Sequence, residues 1–104
     1  MASDEDQVKE AIKTFQDAYN TQNWDAYLEM LCPKRRAEFV GGVMDSLKKN
    51  RTDTGITTVD VVSVKITGDE AAAVIDGNNE TTGTGRATMN LERGDDGWKI
   101  CMKY

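Results

Sequence analysis

The residues best suited to chemistry in this chain are Cys32 and Cys101, the aspartates Asp60 and Asp76, and the tyrosines Tyr19 and Tyr27. There is no histidine, so the commonest general base and the commonest metal ligand are both missing. The cysteines stand far apart in no metal-like spacing. A tetrahedral zinc would need two further ligands from carboxylates, an unusual set for a structural site. Neither a metal nor a cofactor is expected.

Three readings of the cysteine pair are open. A reactive thiol needs an electropositive, partly exposed setting, and Lys34-Arg35-Arg36 lies close to Cys32 in sequence. Two free, buried cysteines are the second reading. The third, which is preferred, is a disulfide tying the end of the second helix to the last strand. Closing so long a loop stabilises by about 4 kcal/mol in the chain-entropy model, and a disulfide would place the domain outside the cytoplasm.

The acids give a weaker signal. Asp60 shares strand parity with Val62 and Val64, so burial of that face would carry it into a pocket and raise its pKa. With Tyr19 or Tyr27 as hydrogen-bond donor a catalytic role would then be conceivable. A solvated strand end is the preferred reading of Asp60, and a core position with a bonded hydroxyl is preferred for both tyrosines. The basic triplet reads either as an anion site or, preferably, as a solvated helix start.

The elements that must position these groups fit one domain spanning residues 1–104. Met1-Ala2-Ser3 suits an excised start as well as a natural one. The chain is 38% hydrophobic and 30% charged, a globular balance with a small core. Its 18 acids against 13 Lys and Arg give a net charge of −5, which argues against nucleic acid and against anionic membrane surfaces. No apolar run is long enough to span a bilayer, and no signal-peptide pattern opens the chain.

Ser3 is a plausible cap for a first helix, with Asp4, Glu5 and Asp6 at its positive end. Val8, Ile12, Phe15 and Tyr19 recur at helical spacing, widened by Ala11 and Ala18. This helix should stop near Asn20. Asn23 can cap a second helix whose Trp24, Tyr27, Leu28 and Leu31 share a face. Pro33 can open a third, with Phe39, Val40, Val43, Met44 and Leu47 as its stripe. Gly41-Gly42 sits badly there, since each glycine costs about 1 kcal/mol against alanine, and marks a close approach or a break.

From Ile56 the period changes to that of strands. The alternation of Ile56 to Thr67 slips near Val61, which means two buried faces or a bulge. Residues 67–70 form a turn, and Ala71 to Asp76 a second strand whose small residues imply something bulky above them. Gly77 to Gly85 reads as a polar loop or a frayed hairpin tip. Ala87, Met89 and Leu91 mark a third strand, Gly94-Asp95-Asp96-Gly97 a hairpin turn. Trp98, Ile100, Met102 and Tyr104 share one face of a last strand, with Cys101 on the other. The product is an α+β domain, about three N-terminal helices on one face of a curved four-stranded antiparallel sheet. Asn50-Arg51-Thr52 and Asn79-Glu80-Thr81 match the glycosylation triplet.

The first stripe running into Asp17-Ala18-Tyr19-Asn20, then Trp24-Asp25-Ala26, Leu31-Cys32-Pro33, Gly68-Asp69-Glu70-Ala71 and Gly97-Trp98-Lys99-Ile100-Cys101, resembles the NTF2-like, cystatin-like folds. Within them it is most similar to the DUF4878-type, lumazine-binding-like domains found outside the membrane in actinobacterial membrane proteins and lipoproteins. The resemblance implies a long first helix across a bent sheet, with a cone-shaped pocket between them. Phe15, Tyr19, Trp24, Tyr27 and Met89 are the expected pocket residues. Membrane-protein members carry an N-terminal anchor that this sequence does not contain, so membrane attachment would run through an upstream segment. The chain lacks the His–Asp pair of the fold's dehydratases. The expectation is a non-enzymatic, extracytoplasmic domain binding a partner protein or a small apolar ligand, with homodimerisation through the sheet as a further possibility. The alternative is a small ketosteroid-isomerase-like isomerase or lyase using a pocket Asp and Tyr.

Overall fold

A computed structural model describes residues 3–81, 83–94 and 97–101. Helix α1 spans Asp4–Asn20, with the Ser3 side chain accepting from the Asp6 amide at 3.1 Å and three acids in the first turn. Both features satisfy or complement the amides that a helix start leaves unpaired. Its buried stripe is Val8, Ala11, Ile12, Phe15 and Ala18. Helix α2, Trp24–Glu29, follows a corner in which Gln22 has a φ of 58°. The Asn23 side chain caps it by accepting from the Ala26 amide at 3.3 Å.

The expected third helix is two. Pro33–Arg36 forms one turn, α3; the chain then leaves the helix and resumes as α4, Gly42–Thr54. Gly41 makes the break with a φ of 52°, a conformation that side chains disfavour. Val40, placed on the expected stripe, is instead 66% exposed. The basic triplet also finds work. Arg36 donates to the carbonyls of Leu28, Glu29 and Leu31 at 2.8, 3.3 and 3.0 Å, closing the C-terminal end of α2. Arg35 pairs with Glu38 and lies over the Phe39 ring.

Strands β1 (Thr57–Thr67), β2 (Glu70–Asn79), β3 (Gly83–Gly94) and β4 (Gly97–Ile100) form one curved antiparallel sheet in the order β1-β2-β3-β4. A bulge between Val61 and Ser63 shifts the β1 register. Val59 and Val61 before it, and Val64 and Ile66 after it, therefore all pack against the core on the helix side. The bulge is the cause of the slipped alternation. It also removes the premise that Asp60 shares a face with Val64. Ala71 and Ala73 are buried in the same cluster as Val8, Ile12, Phe15, Leu91, Trp98 and Ile100, so the small side chains do lie beneath large ones.

Of the two readings of residues 77–85, the hairpin tip holds, with its strands paired further than expected. β2 runs to Asn79 and β3 starts at Gly83, with Gly77 paired to Gly85. Backbone pairing holds this segment although its side chains carry no strand signal. Gly94 pairs with Gly97; Asp95 and Asp96, between them, lie outside the described residues, as do Met1, Ala2, Thr82, Met102, Lys103 and Tyr104.

Trp98 and Ile100 face the core, 4% and 0% exposed, which puts Cys101 on the other parity. The bridge to Cys32 runs round the sheet edge. Leu31 lies parallel to Ile100 on the outer side of β4. The Ile100 amide donates to Met30 O at 2.7 Å and the Cys32 amide to Ile100 O at 3.0 Å. Cys32 and Cys101 are thereby brought to a Cα separation of 5.6 Å and joined in a disulfide. No free cysteine remains, so the reactive-thiol and free-thiol readings do not describe this state.

The bridge closes a loop with a sequence separation of 69. The chain-entropy model assigns such a loop about 4 kcal/mol, a large share of a small domain's stability. Urea unfolding with and without reductant should show the midpoint falling by that equivalent, matched by the Cys32→Ser/Cys101→Ser double variant. Coincident curves would show that edge pairing alone holds the segment.

Candidate functional site

The end of α1 is fixed to the start of β1 by one side chain. Asn20 donates through Nδ2 to Thr57 O at 2.7 Å and accepts the Thr57 amide on Oδ1 at 2.9 Å. Gln16 Nε2 donates to the same carbonyl at 3.3 Å. From α4, Arg51 donates to the Asn20 carbonyl through Nε and Nη2 at 3.2 and 2.8 Å, placing a cation at the negative end of α1. These bonds tie the end of α1 to the start of β1 and to α4, and a cleft opens beside them.

The cleft has a volume of about 730 Å³, inside the range of small-molecule sites. Its floor is aromatic and aliphatic: Phe15, Tyr19 and Tyr27 from the helices, Ile75 and Met89 from the sheet. Tyr27 is the hub of that floor. Its ring stacks on Phe15 at 4.5 Å between centroids and meets Tyr19, Trp24 and Phe39 at 6.1, 5.8 and 6.0 Å. Such offset and edge contacts fix ring positions beyond what burial alone would do.

Helix α4 roofs the cleft with Leu47, Asn50 and Thr54. None of its residues is buried. Besides the Arg51 contacts it is tied down by Asn50 Nδ2, which donates to Tyr19 Oη at 3.2 Å, and by Thr81 Oγ1, which donates to Asp53 O at 3.0 Å. Because the Tyr19 oxygen accepts from Asn50, its own proton is left to point at a ligand acceptor. Gly77 forms part of the opposite wall, and a Cβ built there would meet only Gly85 O at 3.9 Å. The missing side chain is what keeps this end of the cleft empty.

Of the expected pocket residues, Phe15, Tyr19, Tyr27 and Met89 line the cleft. Trp24 does not: the short α2 sets it behind the floor, edge-on to Tyr19 and Tyr27. Asp60 stands exposed on the outer face of the sheet, opposite Asp76 in the register. Asp76 in turn is gripped by Arg86, whose Nε and Nη2 donate to its two carboxylate oxygens at 2.7 and 3.1 Å. That hydrogen bonding, and the guanidinium charge after it, hold the Asp76 pKa below the usual carboxylate value. Among the described residues lining the cleft there is no Asp, Glu, Lys or Arg.

Sequence reasoning missed Asn20, Leu47, Asn50, Arg51 and Gly77 as parts of the site. Asn20 carried a signal only as a helix end. Gly77 sat in a run whose composition reads as a loop, and the α4 residues depended on a break whose geometry the sequence leaves open.

No family model matches the sequence, and no curated protein does. The structure is similar to solved ones. A candidate dehydratase of the NTF2-like family from Streptomyces avermitilis superposes with a TM-score of 0.70 at 19% identity, covering 93% of this chain and 90% of that one. A SEC-C motif containing protein from Rhodopseudomonas palustris gives 0.65 at 14% identity, covering 83% and 68%. A de novo designed protein with a curved β-sheet gives 0.60 at 16% identity, covering 89% and 92%. The fold is NTF2-like.

The outer-face ion pair makes a prediction with a definite sign. A carboxyl whose folded pKa is depressed contributes stability above its unfolded pKa and loses it as pH falls through the folded value. Arg86→Gln should therefore be less stable than wild type at neutral pH, with the gap closing in acid. A carboxyl titration by NMR should show the Asp76 midpoint rising in the variant. An unmoved midpoint would show that the pair is not formed in solution.

Proposed function

We propose that this chain is a binding domain for a small, neutral, largely apolar ligand, and that it works outside the cytoplasm. The observation that carries the reading is the cleft itself: an aromatic and aliphatic floor under a rim of amides and hydroxyls, with no charged side chain in its lining. An apolar surface supplies affinity and a few neutral polar groups supply orientation. The Tyr19 hydroxyl and the Asn50 amide are the groups placed to orient a carbonyl or hydroxyl.

Proton abstraction next to a carbonyl needs a base within reach of the substrate. Asp60 lies on the far side of the sheet, and the chain has no histidine, so the isomerase alternative is short of its base. The NTF2-like dehydratase likeness is one of fold and supplies no acid–base pair here. The extracytoplasmic reading is supported by the disulfide, since such bonds persist in oxidising compartments. Among the described residues no helix is long and apolar enough to cross a membrane.

Gly77→Leu tests the site, because the added side chain has room at its base and projects into the cleft. The neutral dye Nile red should bind wild type with a blue-shifted emission. The variant should keep its far-ultraviolet circular dichroism and bind about tenfold or more weakly, the order by which a few methylene groups alter an apolar site. Equal dye binding by both proteins, or none by wild type, would remove the cleft as the binding site.

A further inference from the structure

On the face of the sheet away from the cleft, the disulfide has a third donor beside it. One carboxylate oxygen of Glu92 and the sulfurs of Cys32 and Cys101 all lie within 4.8 Å of one another. Cys32 is buried, Cys101 partly buried and Glu92 exposed, so the donors run from the protein interior to its surface. A second depression of about 350 Å³ opens at Cys101 and Glu92, bordered also by Glu70 and Lys65. Glu70 is the direct cross-strand partner of Glu92. On its other side Glu92 faces Lys99 of β4; the Glu70–Glu92 like-charge pair is still destabilising, and a cation held by Glu92 would relieve it further.

We propose that Cys32, Cys101 and Glu92 form a latent site for a thiophilic divalent cation, zinc above all, that the disulfide masks. A dithiol reductant opens the bond by two-electron exchange, closing to its own cyclic disulfide and leaving two cysteine thiols. The cation then takes both thiolates and the Glu92 carboxylate, and the two thiol protons pass to water. Water completes the four-coordination that zinc prefers. The fit is a matter of reach. Sulfurs sharing one tetrahedral zinc sit about 3.8 Å apart, given Zn–S bonds of about 2.3 Å. The backbones of Cys32 and Cys101, with Cα atoms 5.6 Å apart and held by the pairing of Leu31 with Ile100, allow that separation by side-chain rotation alone. Oxidised, the locus is a covalent clasp; reduced, it is a metal clasp at the same place. The site is separate from the ligand cleft; the metal form arises only where a dithiol reductant opens the bond, whereas the oxidising compartment proposed above keeps the disulfide form.

Cobalt(II) reports directly on such a site, because thiolate ligation gives near-ultraviolet charge-transfer bands. The reduced full chain should take one cobalt with those bands, and zinc should displace it. The oxidised protein and the Cys32→Ser/Cys101→Ser variant should show none. Glu92→Gln should keep the sulfur bands but bind at least about tenfold more weakly, the order seen when a group supporting a metal site is lost. Thermal melts of the reduced protein should rise with zinc, and rise less in Glu92→Gln. Absence of the bands in the reduced protein would overturn the proposal. So would equal affinity in Glu92→Gln, or equal affinity of the reduced chain in denaturing urea, which would show that the fold contributes nothing.

Discussion

The structure depends on a short parallel pairing at the edge of its sheet. Met30 to Cys32 lies along β4 and satisfies both the amide and the carbonyl of Ile100. β4 is only Gly97–Ile100, and a four-residue edge strand left open would expose unpaired backbone and bind weakly. The same pairing draws Leu31 and Ile100 into full burial and anchors the end of α2. Once that end is fixed, Tyr27 must stand against Phe15, and the aromatic floor follows. The disulfide makes permanent what the hydrogen bonds arrange.

The other end of the molecule is built on the opposite logic. There α1 is joined to β1 and to α4 by polar contacts, Asn20 to Thr57 and Arg51 to Asn20, instead of by buried apolar ones. The bulge in β1 bends the sheet, and the facing glycines Gly77 and Gly85 remove two side chains from its wide end. A domain of this size has little apolar surface to spare. Leaving α4 without a buried residue is a departure from good packing, and such departures gather at functional sites.

Much of the architecture was legible in the sequence because its signals were local. The α1 stripe, both side-chain caps and the strand-rich second half can each be read from a few neighbouring residues, and all are found. The slip in β1 was legible as an anomaly, with the choice between bulge and double burial left to tertiary packing. What could not be read depends on distant partners. A glycine-rich strand resembles a loop until its partner strand is known. The solvated reading of Asp60 holds; its pocket alternative fails because parity was carried across a bulge, where it does not hold. Trp24 is aromatic and near the site in sequence, yet the turn of α2 sets it behind Tyr27. The route of the disulfide has the same origin: alternation gives the face of Cys101, while the edge position of β4 comes only from strand order.

The most direct test of the edge pairing is native-state hydrogen exchange at the amides of Ile100 and Cys32, both donors in that pairing. If the pairing is the anchor, these amides exchange only by global unfolding, with protection equal to that of buried amides in α1 such as Ile12. Exchange of Ile100 and Cys32 by a cheaper local opening, while the α1 amides remain protected, would contradict it.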